Sequence, residues 1–177
     1  GCGTGRMTRQ LVERGFAITA VDESPEMLEH VRGAETVCAR IEGLDLGRRF
    51  DAVLLASNLL STDVEQRRAF LATCARHSDV VVVEPLPLGW KPTSGSRMLG
   101  EVTSETLVDR IEDGVVHGAV EYTARGKCWR HEFSMRVFAD EEELGAALAD
   151  GGFRLDDWLE RERGWFVAQV APSRTSS

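Results

Sequence analysis

The chain has 177 residues, 42% hydrophobic and 28% charged, with 21 Lys+Arg against 29 Asp+Glu and a formal net charge of −8. That supports one domain with a sizeable core and excludes a disordered chain. No Lys/Arg run supplies the basic face a nucleic-acid binder needs, no apolar run nears the roughly 20 residues of a membrane span, and no secretory signal opens the chain. Cys2, Cys38, Cys74 and Cys128 are scattered without a C-x-x-C pair. That pattern argues against a zinc site or a disulfide scaffold and suits a reducing, cytoplasmic setting, with each thiol expected as a small buried hydrophobe.

The chain opens on Gly1-Cys2-Gly3-Thr4-Gly5. A glycine bend needs a strand to turn from, so we expect a fragment or a mis-started reading frame whose upstream strand is missing. Arg6–Arg14 carries Met7, Leu11 and Val12 at helical spacing, with Gly15 at the C-cap. Phe16–Val21 reads as a strand ending at Asp22. Ser24-Pro25-Glu26 then starts a helix, with Met27, Leu28 and Val31 on its apolar stripe and Gly33 as its stop. Thr36–Ala39 is a short strand, Phe50–Ala56 a strand buried on both faces, Asp63–His77 a helix burying Phe70, Leu71 and Cys74, and Val80–Val83 a second buried strand. Strands alternating with helices predict a parallel sheet with right-handed crossovers.

Pro85–Gly100, rich in Pro and Gly and carrying Trp90, reads as a loop beyond the C-terminal end of a buried strand, the edge where open α/β sheets bind ligands. The pattern then turns antiparallel. Asp113-Gly114 and Arg125-Gly126 are two-residue hairpin turns. They pair Ile111 with Val116, Leu107 with Val120, Tyr122 with Trp129, Val120 with His131 and Val116 with Met135 on one apolar face, and Glu121 with Arg130 on the other. This is a three-stranded meander over residues 101–138. Asp140–Asp150 is a helix with Asp140 as N-cap and Glu143 at the capping-box position. Phe153–Leu159 and Trp165–Val170 are strands joined by the turn Glu160–Gly164, and Pro172–Ser177 is a frayed tail.

The chemistry centres on the opening glycines. Glycines let a backbone approach a ligand closely, and an acid ending the next strand, Asp22, can accept hydrogen bonds from both hydroxyls of a ribose. That suits an adenosine-containing cofactor. A dinucleotide fold wants G-x-G-x-x-G, but Arg6 stands where the third glycine belongs. A bulky cation there spoils the pyrophosphate seat, whereas a cofactor with a methionine moiety tolerates it.

The segments GCGTGRMTRQL, GFAITAVDESPEML and RFDAVLLASNLL, in that order and spacing, resemble the class I S-adenosylmethionine-dependent methyltransferases. The resemblance runs from residue 1 to about Glu84, and the late strand pair resembles that family's antiparallel sheet edge. It implies an α/β fold: a Rossmann-like, mostly parallel sheet with an antiparallel C-terminal edge, plus the meander as an insertion. It also implies one methyltransferase domain over 1–177, with residues 1–84 as the cofactor half and 140–171 as helix and terminal strands. Carried across residue by residue, the resemblance puts Gly1, Gly3 and Gly5, with Cys2 and Thr4 between them, under the methionine part of S-adenosyl-L-methionine. Asp22 holds the ribose with Glu23 and Ser24 beside it. Ala39–Glu42 flanks the adenine, Arg40 and Ile41 included, although the family often carries Asp where Arg40 stands. Ala56–Leu59 lines the methionine end, Asn58 toward the methyl. The family's first strand is absent, which leaves a central strand position unfilled.

The implied activity is methyl transfer to an O or N atom of a small molecule. Asn58-Leu59-Leu60-Ser61 lacks the Pro-Pro-aromatic of DNA amino-methylating enzymes, and the Asp/Asp/Asn cluster of metal-dependent catechol enzymes is missing, so no metal is expected. A base is needed only if the acceptor sheds a proton. His131, amid Tyr122, Trp129 and Phe133, and Glu84, at a strand end, are the candidates. His117 reads as solvated, and His30 and His77 as surface residues. The meander's aromatic face serves either as a lid over the substrate or as a packing surface, a homodimer contact included. Two readings of other classes stay open: a nicotinamide-dependent oxidoreductase, and a non-catalytic methyltransferase-like binding module.

Overall fold

The computed structural model describes residues 1–162 and 164–172. Arg163, in the turn expected at Glu160–Gly164, and Ser173–Ser177 of the tail read as frayed lie outside the described residues. The N-terminal half alternates as expected: α1 (Arg6–Glu13), β1 (Thr19–Asp22), α2 (Pro25–Leu28), β2 (Glu35–Cys38), β3 (Val53–Leu55), α3 (Val64–His77) and β4 (Val80–Val83). β1 pairs parallel with β2, and β3 parallel with β4. Ser24 caps α2, its hydroxyl accepting from the Met27 N–H, and Asp63 caps α3 by accepting from the Gln66 N–H.

The core lies under β3, β4 and the last two strands. α3 buries Phe70, Leu71 and Cys74, and α4 (Glu141–Asp150) buries Leu144 and Leu148 against Phe153 and Phe166. Asp140 caps α4 as expected; the Glu143 carboxylate accepts from the Ala139 N–H rather than that of the cap. β9 (Phe153–Trp158) and β10 (Phe166–Val170) complete the sheet in the order β3-β4-β10-β9, with β10 antiparallel to both neighbours. The Rossmann-like arrangement with an antiparallel C-terminal edge is therefore present.

Among the described residues β1 pairs only with β2, and β3 pairs with β4 but not with β1. Their bare edges line one cavity of about 240 Å³, together with apolar side chains such as Met7 and Leu11. Leu54, in the middle of β3, is 38% exposed there. The two half-sheets are joined by the segment after β2, which packs on α3. Thr73 Oγ1 donates to the Ile41 carbonyl, Arg76 donates to the Leu44 carbonyl, and the Leu46 N–H donates to His77 Nε2. His77 is thus buried, against the surface position expected for it. Its Nδ1 lies 2.8 Å from the Thr73 carbonyl, which requires the proton on Nδ1 and leaves Nε2 as acceptor. Its partner lies 31 residues away, so nothing local could announce it.

The meander has four strands, not three: β5 (Gly95–Leu99), β6 (Val102–Glu112), β7 (Val115–Ala124) and β8 (Lys127–Arg136) in sequential order. The expected loop Pro85–Gly100 ends in β5 because Gly100-Glu101 makes a two-residue hairpin, with Gly100 at φ 63°. Both expected turns hold, with positive φ at Asp113, Gly114, Arg125 and Gly126, as a type I′ turn needs. The pairs Ile111–Val116, Tyr122–Trp129, Val120–His131, Val116–Met135 and Glu121–Arg130 are as expected, but Leu107 faces Ala119 and Thr106 faces Val120. One extra residue, Asp109, bulges from β6 between Val108 and Arg110 and moves Leu107 to the other face. Cys74 alone of the cysteines is buried, its thiol pushed up to about 12 by burial; Cys2 is half-buried, and Cys38 and Cys128 are exposed. No helix among the described residues is long and apolar enough to cross a membrane.

At Gly118, β7 has no room for a side chain. A Cβ there would lie 2.2 Å from the Leu107 carbonyl oxygen and 3.0 Å from the Phe133 ring. Gly118→Ala is expected to cost about 1–3 kcal/mol of stability, read as a lower denaturant midpoint at unchanged slope.

Candidate active site

The C-terminal ends of β1, β2 and β3 converge on a cavity of about 400 Å³. Its floor begins at the glycine bend. Gly3 and Gly5 take φ 55° and 81°, and a Cβ on Gly1 would lie 2.8 Å from Leu59 Cδ1. The bend is tied to Asp22, at the end of β1 and only 9% exposed. The Gly3 N–H donates to Oδ2 at 2.7 Å and the Ser24 N–H donates to Oδ1 at 3.0 Å. Burial disfavours the charged carboxylate, but the Ser24 and Gly3 N–H groups outweigh it, and the Asp22 pKa falls below its ordinary value. Each carboxylate oxygen has a further lone pair for a ligand hydroxyl.

On the next loop, Arg40 pairs with Glu42 at 2.9 Å and Glu23 at 3.5 Å. Gln66 Nε2 donates to the same Glu42 oxygen. The Arg40 hydrogen bond brings the Glu42 pKa down to about 2. Beyond β3, Ser57 and Asn58 both have positive φ, 57° and 61°, and the Leu59 N–H donates to the Ala56 carbonyl. This is a tight left-handed turn of the kind usually given to Asn-Gly. The far wall is β8, from His131 to Met135. β8 is the last strand of its sheet, so it presents an open edge, and both its faces reach the cavity.

Of the candidate residues, Gly1, Asp22, Glu23, Arg40, Ile41, Asn58 and His131 line this cavity together. Gly3 and Ser24 reach it through Asp22. Cys2 lines the other cavity, between β1 and β3, and Thr4, Gly5 and Ala56 line neither wall of the site. Glu84, the other candidate base, is placed apart from these residues. It is outside the cavity lining, accepts the Ser57 N–H at 2.8 Å, and stands 3.7 Å from Arg6. Ser61 and Thr62, just ahead of α3, and Gln66 in its first turn also line the cavity, as does Phe70, read from the sequence only as a core residue. Their signal was their place around the start of the helix that follows β3. Among the described residues no cluster of three or more His, Cys, Asp or Glu could hold a metal ion.

Residues 1–79 match the family model described as a methyltransferase domain. The class I resemblance expected from the sequence is thereby borne out. Uncharacterized methyltransferases of Mycobacterium tuberculosis and Mycobacterium bovis are 56% identical over 34 residues, 19% of this chain and only 14% of each relative. The CcbJ methyltransferase from Streptomyces caelestis superposes with a TM-score of 0.72 at 18% identity, covering 97% of this chain and 82% of that one. The glycopeptide N-methyltransferase MtfA, complexed with S-adenosyl-L-homocysteine, gives a TM-score of 0.60 at 17% identity over 97% and 80%. The 1,6-didemethyltoxoflavin-N1-methyltransferase of Burkholderia thailandensis gives 0.53 at 19% over 97% and 69%. At these identities the likeness is one of fold.

Glu42 contributes stability that is fully present above its ordinary pKa of 4.5 and is lost as pH falls from there through about 2. Arg40→Ala removes the cause. An NMR titration of the Glu42 carboxyl should then show its pKa returning toward the ordinary carboxylate range.

Proposed function

We propose that the chain is an S-adenosylmethionine-dependent methyltransferase acting on an O or N atom of a small molecule, with residues 1–177 as one domain. The observation that carries this is the convergence of Asp22, Arg40, Ile41 and Asn58, from three successive strand ends, on one cavity closed by His131. Its volume, about 400 Å³, suits a cofactor-sized ligand. The charges favour the same reading. Asp22, Glu23, Glu42 and Glu132 line the cavity against the single guanidinium of Arg40. A negative field attracts a sulfonium cation and repels a pyrophosphate. It therefore speaks against the nicotinamide alternative, as does Arg6 turned toward Glu84.

The residues present fit such a cofactor. Asp22 is ionised and has spare lone pairs for a ribose diol. Gly1 leaves its Cβ space to Leu59, and Ile41 offers an apolar wall. Arg40 stands where an adenine-binding Asp is common; its pairing with Glu23 and Glu42 keeps its charge neutralised at that wall. S-adenosylmethionine, when bound, supplies a sulfonium methyl that passes in line to the acceptor as the S–CH3 bond breaks and a thioether leaves. The protein's work is to align the reactants and exclude water. His131, on the β8 wall, takes the proton of a hydroxyl acceptor; an amine that reacts as the free base needs no such help. The glycopeptide and the toxoflavin precursor on which the two similar enzymes act agree with a small-molecule acceptor. The exposed ends of the meander, with Trp129 53% and Tyr122 37% exposed, are the surface through which two copies would pair.

Calorimetry with S-adenosylhomocysteine tests the reading. The chain should bind it with micromolar affinity, and Asp22→Ala should weaken binding at least about tenfold, the loss of charge-assisted hydrogen bonds. Fluorescence enhancement of NADH with no S-adenosylhomocysteine heat would overturn it. For the pairing surface, Trp129→Lys should halve the mass measured by sedimentation if the parent is a dimer.

A further inference from the structure

Glu84 makes contacts that neither base catalysis nor cofactor binding uses. Its backbone N–H donates to the Leu55 carbonyl at the end of β3, and its carboxylate accepts the Ser57 N–H two residues further on. Between and beyond these anchors the chain makes the Ser57–Asn58 turn. Two consecutive non-glycine residues there hold positive φ. Left-handed backbone is uncommon for Asn and rarer for Ser, so such a turn persists only where the surroundings hold it. The Ala56–Leu59 hydrogen bond, at 3.3 Å, is long for an N–H···O contact, whereas the Glu84 bond at 2.8 Å is short and charge-assisted. Ser57, Asn58 and Leu59 all line the cavity, and Leu59 packs where a Gly1 side chain would be. The same Glu84 oxygen, Oε2, stands 3.7 Å from Arg6, the first residue of α1 after the glycine bend.

We propose that Glu84 is a positioning residue: by accepting the Ser57 N–H it holds the left-handed Ser57–Asn58 turn against the cavity. Arg6 is ancillary, at 3.7 Å and 62% exposed, so the bond to the turn and not the ion pair is the working contact. The inference rests on the proposed cofactor site for its functional meaning, but the tie itself is a property of the folded chain.

Two readouts on the full chain test it: amide exchange at the Ser57 N–H by NMR, which needs no ligand, and affinity for S-adenosylhomocysteine by calorimetry. Glu84→Gln keeps an acceptor oxygen; it should retain Ser57 protection and bind within about threefold of the parent. Glu84→Ala should speed Ser57 exchange and weaken binding, each about tenfold, as expected for one charge-assisted hydrogen bond. Arg6→Ala should leave both nearly unchanged. Loss of protection in Glu84→Gln, or an Arg6→Ala variant that matches Glu84→Ala, would overturn the proposal, as would parent-like behaviour of Glu84→Ala. Should the alanine variant not fold, the glutamine and Arg6 variants still decide. A parent that binds no S-adenosylhomocysteine defeats the methyltransferase reading alone, and the exchange comparison still judges the tie.

Discussion

A buried carboxylate with two backbone N–H donors is the interaction on which the N-terminal half depends. Asp22 ends β1, receives Gly3 on one oxygen and Ser24 on the other, and so links the glycine bend to the start of α2. Burial alone would favour its neutral form, and the donors reverse that. The consequence is a fixed negative charge at the bottom of a cavity. The bend above it is free of side chains where a ligand must come close. The helix after Ser24, a single turn, is too short to be stable by itself and relies on its Ser24 cap and on Val31 packing beneath Gly5.

The rest of the cavity extends the same electrostatic theme. Arg40 is not a free cation at the wall, because Glu23 and Glu42 hold it and Gln66 steadies Glu42. The cavity lining therefore carries more carboxylates than cations, with its one guanidinium already paired. The far wall is built differently, from the open edge of an antiparallel sheet. An edge strand shows both its faces and its backbone to solvent, which is why His131 and Glu132, on opposite faces of β8, look into one space.

Much of this was legible in the residues, and where it was not the cause is specific. The alternating half was readable because each element carries its own local punctuation: Pro25 after Ser24, Asp63 ahead of α3, four valines in β4. The hairpins at Asp113-Gly114 and Arg125-Gly126 were readable because positive φ at two central positions demands those residue types. Leu107 was misplaced because a bulge adds a residue with no compositional signature. β5 was hidden inside a Pro/Gly-rich stretch, although Gly100-Glu101 has the glycine-first form of a hairpin turn. His77 and Glu84 escaped because their partners come from distant segments; what decides each is a backbone N–H, and backbone groups leave no trace in the identity of a residue.

The bare edges of β1 and β3 carry one more implication. The loops that build the cavity come from both sides of that gap: Asp22 and Arg40 from the β1–β2 pair, Ser57 and Asn58 from the β3 side. A molecule lodged in the cavity touches both pairs at once, and by mass action its binding stabilises the folded arrangement that presents both walls.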